Sequence, residues 1–90
     1  MIFDEILSSV KDEIAATLNM KKDDIADGAL LVGGLGAESI DFIDLTFRLE
    51  KRFQLEIPEG ELFESDAHPA VTLTVIAVAE YIFNKLAVES

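Results

Sequence analysis

Three stretches of this chain repeat their apolar residues every three or four positions, and none alternates them strictly with polar ones. That periodicity predicts amphipathic helices and leaves no strand or hairpin pattern. From Ile2 to Asn19 the residues Phe3, Ile6, Leu7, Val10, Ile14 and Leu18 recur at helical spacing, with Asp4, Glu5, Lys11, Asp12 and Glu13 between them. A second helix is expected to start at Ser39, a preferred N-cap residue, with Asp41 in its first turn. Arg48, Lys51 and Arg52 toward its end complement the helix dipole, and Pro58 sets its outer limit. Thr72 or Thr74 can cap a last helix whose core face is Val75, Val78, Ala79, Ile82 and Leu86. Only the β-branched run VTLTVIAV, residues 71–78, gives a strand any claim.

Between the first two helices, residues 20–38 carry Gly28, Gly33, Gly34 and Gly36, a density no helix tolerates. A loop of this length is uncommon unless functional, and Ile25, Leu30, Leu31, Val32 and Leu35 are expected to pin it in an ordered form onto the core. Residues 59–66 (EGELFESD) are expected to form one short acidic turn of helix around Leu62 and Phe63. The fold class is therefore all-α, a bundle of four helices with a long first loop and a short third helix. The 90 residues suit a single domain, 1–90, which buries about 64% of the surface of its extended chain.

Eighteen acids against seven bases leave a net charge of −11, repulsive toward nucleic-acid phosphates and anionic lipid heads. Nucleic acid and membrane are thus excluded as expected partners. No apolar run approaches the roughly 18 residues of a membrane span. Without cysteine there is no disulfide framework, thiolate metal site or cysteine nucleophile, so any thiol chemistry must arrive on a cofactor. The N-terminal MIFDEILSSVKDE is acidic where a targeting peptide is basic, which makes the cytoplasm the expected location.

On a helical wheel the second helix carries two apolar stripes. Phe42, Leu45, Leu49 and Phe53 form one, and Ile40, Ile43 and Phe47 form another about 140° away. One stripe faces the core. The other is either covered by Leu62 and Phe63 or exposed as a docking face beside Ser39. Ser39 taken alone is an N-cap, yet a phosphate on its hydroxyl would meet the unpaired N–H groups and positive dipole end of the helix. Other motifs fail on inspection. Gly34-Leu-Gly36-Ala-Glu-Ser39 lacks the third glycine and the βαβ unit of a dinucleotide site. Counting a calcium loop from Asp23 puts Gly34 where a bidentate Glu is required. A hydrolase in which His68 activates Ser39 has no nucleophile elbow, and His68 reads as a solvated loop residue. Glu59, Glu61, Glu64 and Asp66 read as a solvated face.

The run Leu35-Gly-Ala-Glu-Ser39-Ile-Asp-Phe-Ile-Asp-Leu45, continued by Leu49, Glu50, Phe53 and Glu56-Ile57-Pro58, resembles the acyl carrier protein family. In that family an Asp-Ser-Leu signature opens the second helix and a Glu-Ile-Pro segment follows it. The resemblance implies that Ser39 is esterified by 4′-phosphopantetheine from coenzyme A, whose terminal thiol carries an acyl group as a thioester. It also implies that a phosphopantetheinyl transferase and acyl-loading and acyl-using enzymes are partners, that the chain is a free-standing monomer and no enzyme, and that fatty acid, lipid or specialised acyl metabolism is its setting. The recognition face it implies comprises Glu38, Ile40, Asp41, Ile43, Asp44, Phe47 and Glu50. An aminoacyl or peptidyl carrier, or an unmodified helical adaptor, are the alternatives.

Three departures from the family pattern bear on these expectations. Glu38 replaces the usual Asp, and Gly33-Gly34 replaces more polar residues and is expected to loosen the loop. Helix two is neutral overall, with Arg48, Lys51 and Arg52 expected to repel enzymes built for a uniformly acidic helix.

Overall fold

The computed structural model describes residues 1–63 and 69–89. Among the described residues there are three α-helices, α1 (Phe3–Leu18), α2 (Ser39–Phe53) and α3 (Val75–Glu89), with short 3-10 turns at Lys22–Asp24 and Ala70–Thr72 and no strand. The all-α expectation holds. None of these helices is long and apolar enough to cross a membrane.

α1 is the central element and packs against both α2 and α3. Its Ile6, Val10 and Ile14 are fully buried, as the periodicity requires. The Glu5 carboxylate accepts a hydrogen bond from the Ile2 N–H at 3.0 Å and closes the first turn. At the other end Asn19 takes the left-handed conformation that ends many helices. α2 buries Phe42, Leu45, Leu49 and Phe53, one stripe of its two, each contributing roughly 1.5–3 kcal/mol of transfer free energy. α3 buries Val75, Val78, Ala79 and Ile82, with Leu86 half-buried behind them. Thr74 is its cap, since its hydroxyl oxygen accepts from the Ala77 N–H at 3.2 Å. Thr72 sits in the preceding 3-10 turn and donates its hydroxyl to the Pro69 carbonyl. The strand claim of residues 71–78 reduces to one isolated antiparallel bridge between Leu30 and Thr74.

The loop 20–38 is ordered, with Ile25, Leu31 and Ala37 buried and Val32 and Leu35 packed at the core's edge. Leu30 is the exception: its side chain is 39% exposed, and its backbone does the pinning instead. Besides the Leu30–Thr74 bridge, the Leu31 N–H donates to the Leu73 carbonyl at 3.0 Å. Of the glycine pair, Gly34 tightens this loop rather than loosening it. A Cβ on Gly34 would lie 2.8 Å from the Leu30 carbonyl oxygen, and the Gly34 N–H donates to that same oxygen at 3.0 Å. Only glycine permits this approach.

After α2, residues 54–63 bridge to α3. Gln54 turns the chain in a left-handed conformation, and Leu55, Ile57, Leu62 and Phe63 are buried. The short helix expected at 59–66 is not found in its described part, where 59–63 form turns and a bend, so Leu62 and Phe63 reach the core from irregular chain. Glu64, Ser65, Asp66 and His68 lie outside the described residues.

Candidate functional site

α2 begins one residue earlier than a Ser39 cap would place it. Glu38, extended at φ −113° and ψ 171°, is the N-cap, and Ser39 is the first helical residue. The reason is local: the Asp41 carboxylate accepts the Glu38 N–H at 2.8 Å, and the Asp41 N–H donates to the Glu38 carbonyl at 2.9 Å. This reciprocal pairing closes the turn without the Ser39 hydroxyl. That hydroxyl enters no side-chain hydrogen bond among the described residues, and Ser39 is exposed. Neither the Ser39 nor the Ile40 N–H has an acceptor among them either. An exposed, unengaged hydroxyl thus stands on the positive end of a helix of 15 residues. It fits a phosphodiester-linked arm, whose negative charge the open N–H groups would favour.

The second stripe of α2 is exposed. Ile40, Ile43 and Phe47 are 70%, 60% and 64% accessible, too open for the covered alternative. Leu62 and Phe63 go elsewhere. The Phe63 ring stacks on Phe42 of the core stripe, with centroids 4.9 Å apart and planes inclined by 23°. Together they border an open groove of about 750 Å³ that starts at Ser39 and runs between α2 and residues 57–63. Ile43, Phe47, Ile57 and Leu62 supply most of the rest of its apolar lining.

Three of the four acids expected on this face, Asp41, Asp44 and Glu50, have internal partners. Asp41 closes the helix start, as above. Asp44 accepts from Arg48 Nε at 2.8 Å and from the Thr17 hydroxyl at 3.0 Å, which ties α2 to α1. The Arg48 hydrogen bond, and after it that of Thr17, holds the Asp44 carboxyl below the usual carboxylate range. The Glu50 carboxylate accepts the Ile57 N–H at 2.9 Å and fixes the chain where it leaves α2. Glu38 is exposed at the site's edge. Sequence reasoning placed all four residues but missed these bonds.

The basic end of α2 also differs from expectation. Arg52 donates to Glu13 at 2.6 Å, to Asp12 at 3.3 Å and to Ser9 at 3.2 Å, all on α1. Lys22 from the loop reaches Asp12 at 2.8 Å and Ser8 at 2.6 Å, and it is the chief cause of the lowered Asp12 pKa. With Arg48 held by Asp44, two of these three bases are paired internally, and Lys51 is the one of the three without an ion pair among the described residues. Arg48 and Arg52 nonetheless stay about two-fifths exposed beside their partners.

Comparison with known proteins carries the site further. Residues 8–70 match the family described as a phosphopantetheine attachment site. Three proteins named acyl carrier protein are similar to the chain. That of Borreliella burgdorferi is 39% identical over 61 residues, 68% of this chain and 76% of the relative. That of Brachyspira hyodysenteriae is 38% identical over 57 residues, covering 62% and 73%. That of a Sulfurovum species is 32% identical over 56 residues, covering 62% and 75%. The matched span contains the α2 start, the exposed stripe and the 57–63 segment, and on it the chain belongs to the phosphopantetheine-attachment family, as a carrier protein with a covalent 4′-phosphopantetheine group and not as a catalyst.

Proposed function

We propose that Ser39 is the attachment residue and that the chain, as one carrier domain spanning residues 1–90, holds an acyl group as a thioester on the pantetheine thiol. The supporting observation is the unengaged Ser39 hydroxyl at the open start of α2, inside the span that matches the family. The arm supplies the thiol that a chain without cysteine lacks. The chain's own residues would hold and present it: the Glu38–Asp41 pairing closes the helix start around the serine, and the Ser39 and Ile40 N–H groups, without acceptors among the described residues, would be open to the phosphate.

Partner enzymes, a phosphopantetheinyl transferase first among them, dock in this reading on the Ile40, Ile43 and Phe47 stripe, with Glu38 at its rim. Asp41, Asp44 and Glu50 contribute mainly by shaping that face, because each is already bonded within the chain. Intact mass after incubation with coenzyme A and a broad-specificity transferase tests the proposal. One phosphopantetheinyl addition is expected on the parent and none on Ser39→Ala; addition at Ser8, Ser9 or Ser65 overturns it.

A further inference from the structure

The groove that begins at Ser39 has an unusual inner wall. Phe42 lies one turn from the serine, with its ring buried, and it is covered by the Phe63 ring from the opposite side of the groove. On the far side of Phe42, toward Ile14, Leu18, Leu31 and Leu45, the cavity measures only about 10 Å³. A space of that size holds at most one water-sized sphere. Leu49, deeper in the core, is fully buried. Among the described residues there is thus almost no preformed room on that side of Phe42, and the stacked pair lines the groove between it and Ser39.

The stack is also held from both sides. Glu50 on α2 fixes the Ile57 N–H at 2.9 Å. Glu61 accepts the Tyr81 hydroxyl at 2.7 Å and Lys85 Nζ at 3.2 Å, both from α3. Phe63 sits two residues beyond that second anchor, so parting the rings means moving a segment tied to two helices. Offset aromatic pairs add their own attraction to the burial of the rings.

We infer that the Phe42–Phe63 stack is a stopper that makes this carrier selective for short acyl groups: a chain tethered at Ser39 lies in the open groove and is kept out of the core. Methylenes beyond the groove's reach then stay in water, and lengthening the acyl group brings no further shelter. This rests on the attachment of the arm at Ser39 proposed above.

The test separates the two. Hexanoyl- and dodecanoyl-pantetheine arms are loaded from the corresponding coenzyme A thioesters, and intact mass shows whether Ser39 is modified at all. No mass shift overturns the attachment reading, and with it the inference that rests upon it; a mass shift leaves the stopper to be judged by the next measurement. Hydroxylamine cleavage then reads the accessibility of the thioester. In the parent the two thioesters are cleaved at rates within about twofold of each other, since each further buried methylene would slow the longer one about fourfold. In Phe63→Ala the dodecanoyl thioester is cleaved at least about fourfold more slowly than the hexanoyl one, as for one methylene drawn into the space the ring leaves. As a readout without loading, the apo form of this variant binds xenon in its core and the parent does not. Should Phe63→Ala lose its helical circular dichroism, Phe63→Leu removes the stack at smaller loss of volume and the same ratio is read. Fourfold or greater protection of the dodecanoyl thioester in the parent overturns the inference, as does an unchanged ratio in a folded variant.

Discussion

The starts of α2 and α3 are built from the same kind of sequence, a polar residue before an apolar-periodic run, yet they end up in opposite states. At α3, three successive N–H groups have internal acceptors: Val75 donates to the Ala29 carbonyl at 3.0 Å, Ile76 to the Asp27 carbonyl at 2.9 Å and Ala77 to the Thr74 hydroxyl at 3.2 Å. At α2, the N–H groups of Ser39 and Ile40 face outward with no acceptor among the described residues. The loop 20–38 produces both results. Its residues 27–31 seal α3, and its last residues lead directly into α2 without folding over it. One helix start is closed by the chain, and the other is left open where the proposed arm would attach.

Gly34→Ala strikes that arrangement hardest. The new Cβ would meet the Leu30 carbonyl oxygen at 2.8 Å, and Leu30 is the residue bridged to Thr74. The loop must shift, so a loss of about 1–3 kcal/mol is expected, the usual penalty of overpacking. Chemical denaturation measures it. A loss below about 0.5 kcal/mol, the ordinary scatter of surface changes, would show that the tight turn is not what seals α3. Thr74→Ala comes next, at about 1 kcal/mol, the typical value of a lost N-cap. It removes one of three acceptors and leaves the two backbone carbonyls in place.

These outcomes bear on how far the sequence could be read. The three helices, the Thr74 cap and the buried stripe of α2 were legible because each depends on residues within a few positions of one another. The exposure of Ile40, Ile43 and Phe47 was not, because it depends on where Phe63 lands, and Phe63 stacks on Phe42 instead of covering Phe47. Nor was the pairing of Asp44 with Thr17, 27 residues away, or of Arg52 with Glu13, 39 away. Bonds of such separation leave no periodic signal. Ser39 was singled out by motif, while its helical position was misjudged by one residue: the Asp41 carboxylate and N–H close the turn on the Glu38 backbone, and a serine preference is only a statistical competitor.

Acid sharpens the contrast in a further way. The Asp44 carboxyl is held below its ordinary range by Arg48 first and Thr17 second. A carboxylate of depressed pKa stabilises the fold at neutral pH and loses that contribution as pH falls through its folded value. The acceptors at the start of α3 are carbonyls and a hydroxyl, which do not titrate. As pH falls below about 4, amides of α2 are therefore expected to lose hydrogen-exchange protection before those of the first turn of α3. Thr17→Val, which removes one of the two donors to Asp44, narrows the difference. Simultaneous loss at both helix starts would mean that Asp44 does not tether α2 to α1.

The smallest effect is the most telling, because it sets the same kind of substitution at the two starts against each other. Ser39→Ala removes a hydroxyl that accepts no N–H and donates to no carbonyl among the described residues, at a first helical position where Glu38 and Asp41 already complete the turn. Alanine is also the better helix former, by a few tenths of a kcal/mol. Stability is thus expected to stay within about 0.5 kcal/mol of the parent, or to rise slightly, whereas Thr74→Ala loses about 1 kcal/mol. Both variants are compared with the parent in the apo form, so that no bound group weighs on the result. If Ser39→Ala destabilises as much as Thr74→Ala, the serine hydroxyl is a cap after all, and the two helix starts differ only in what lies above them. If it does not, the hydroxyl has no part in the fold, as the attachment proposed for Ser39 requires.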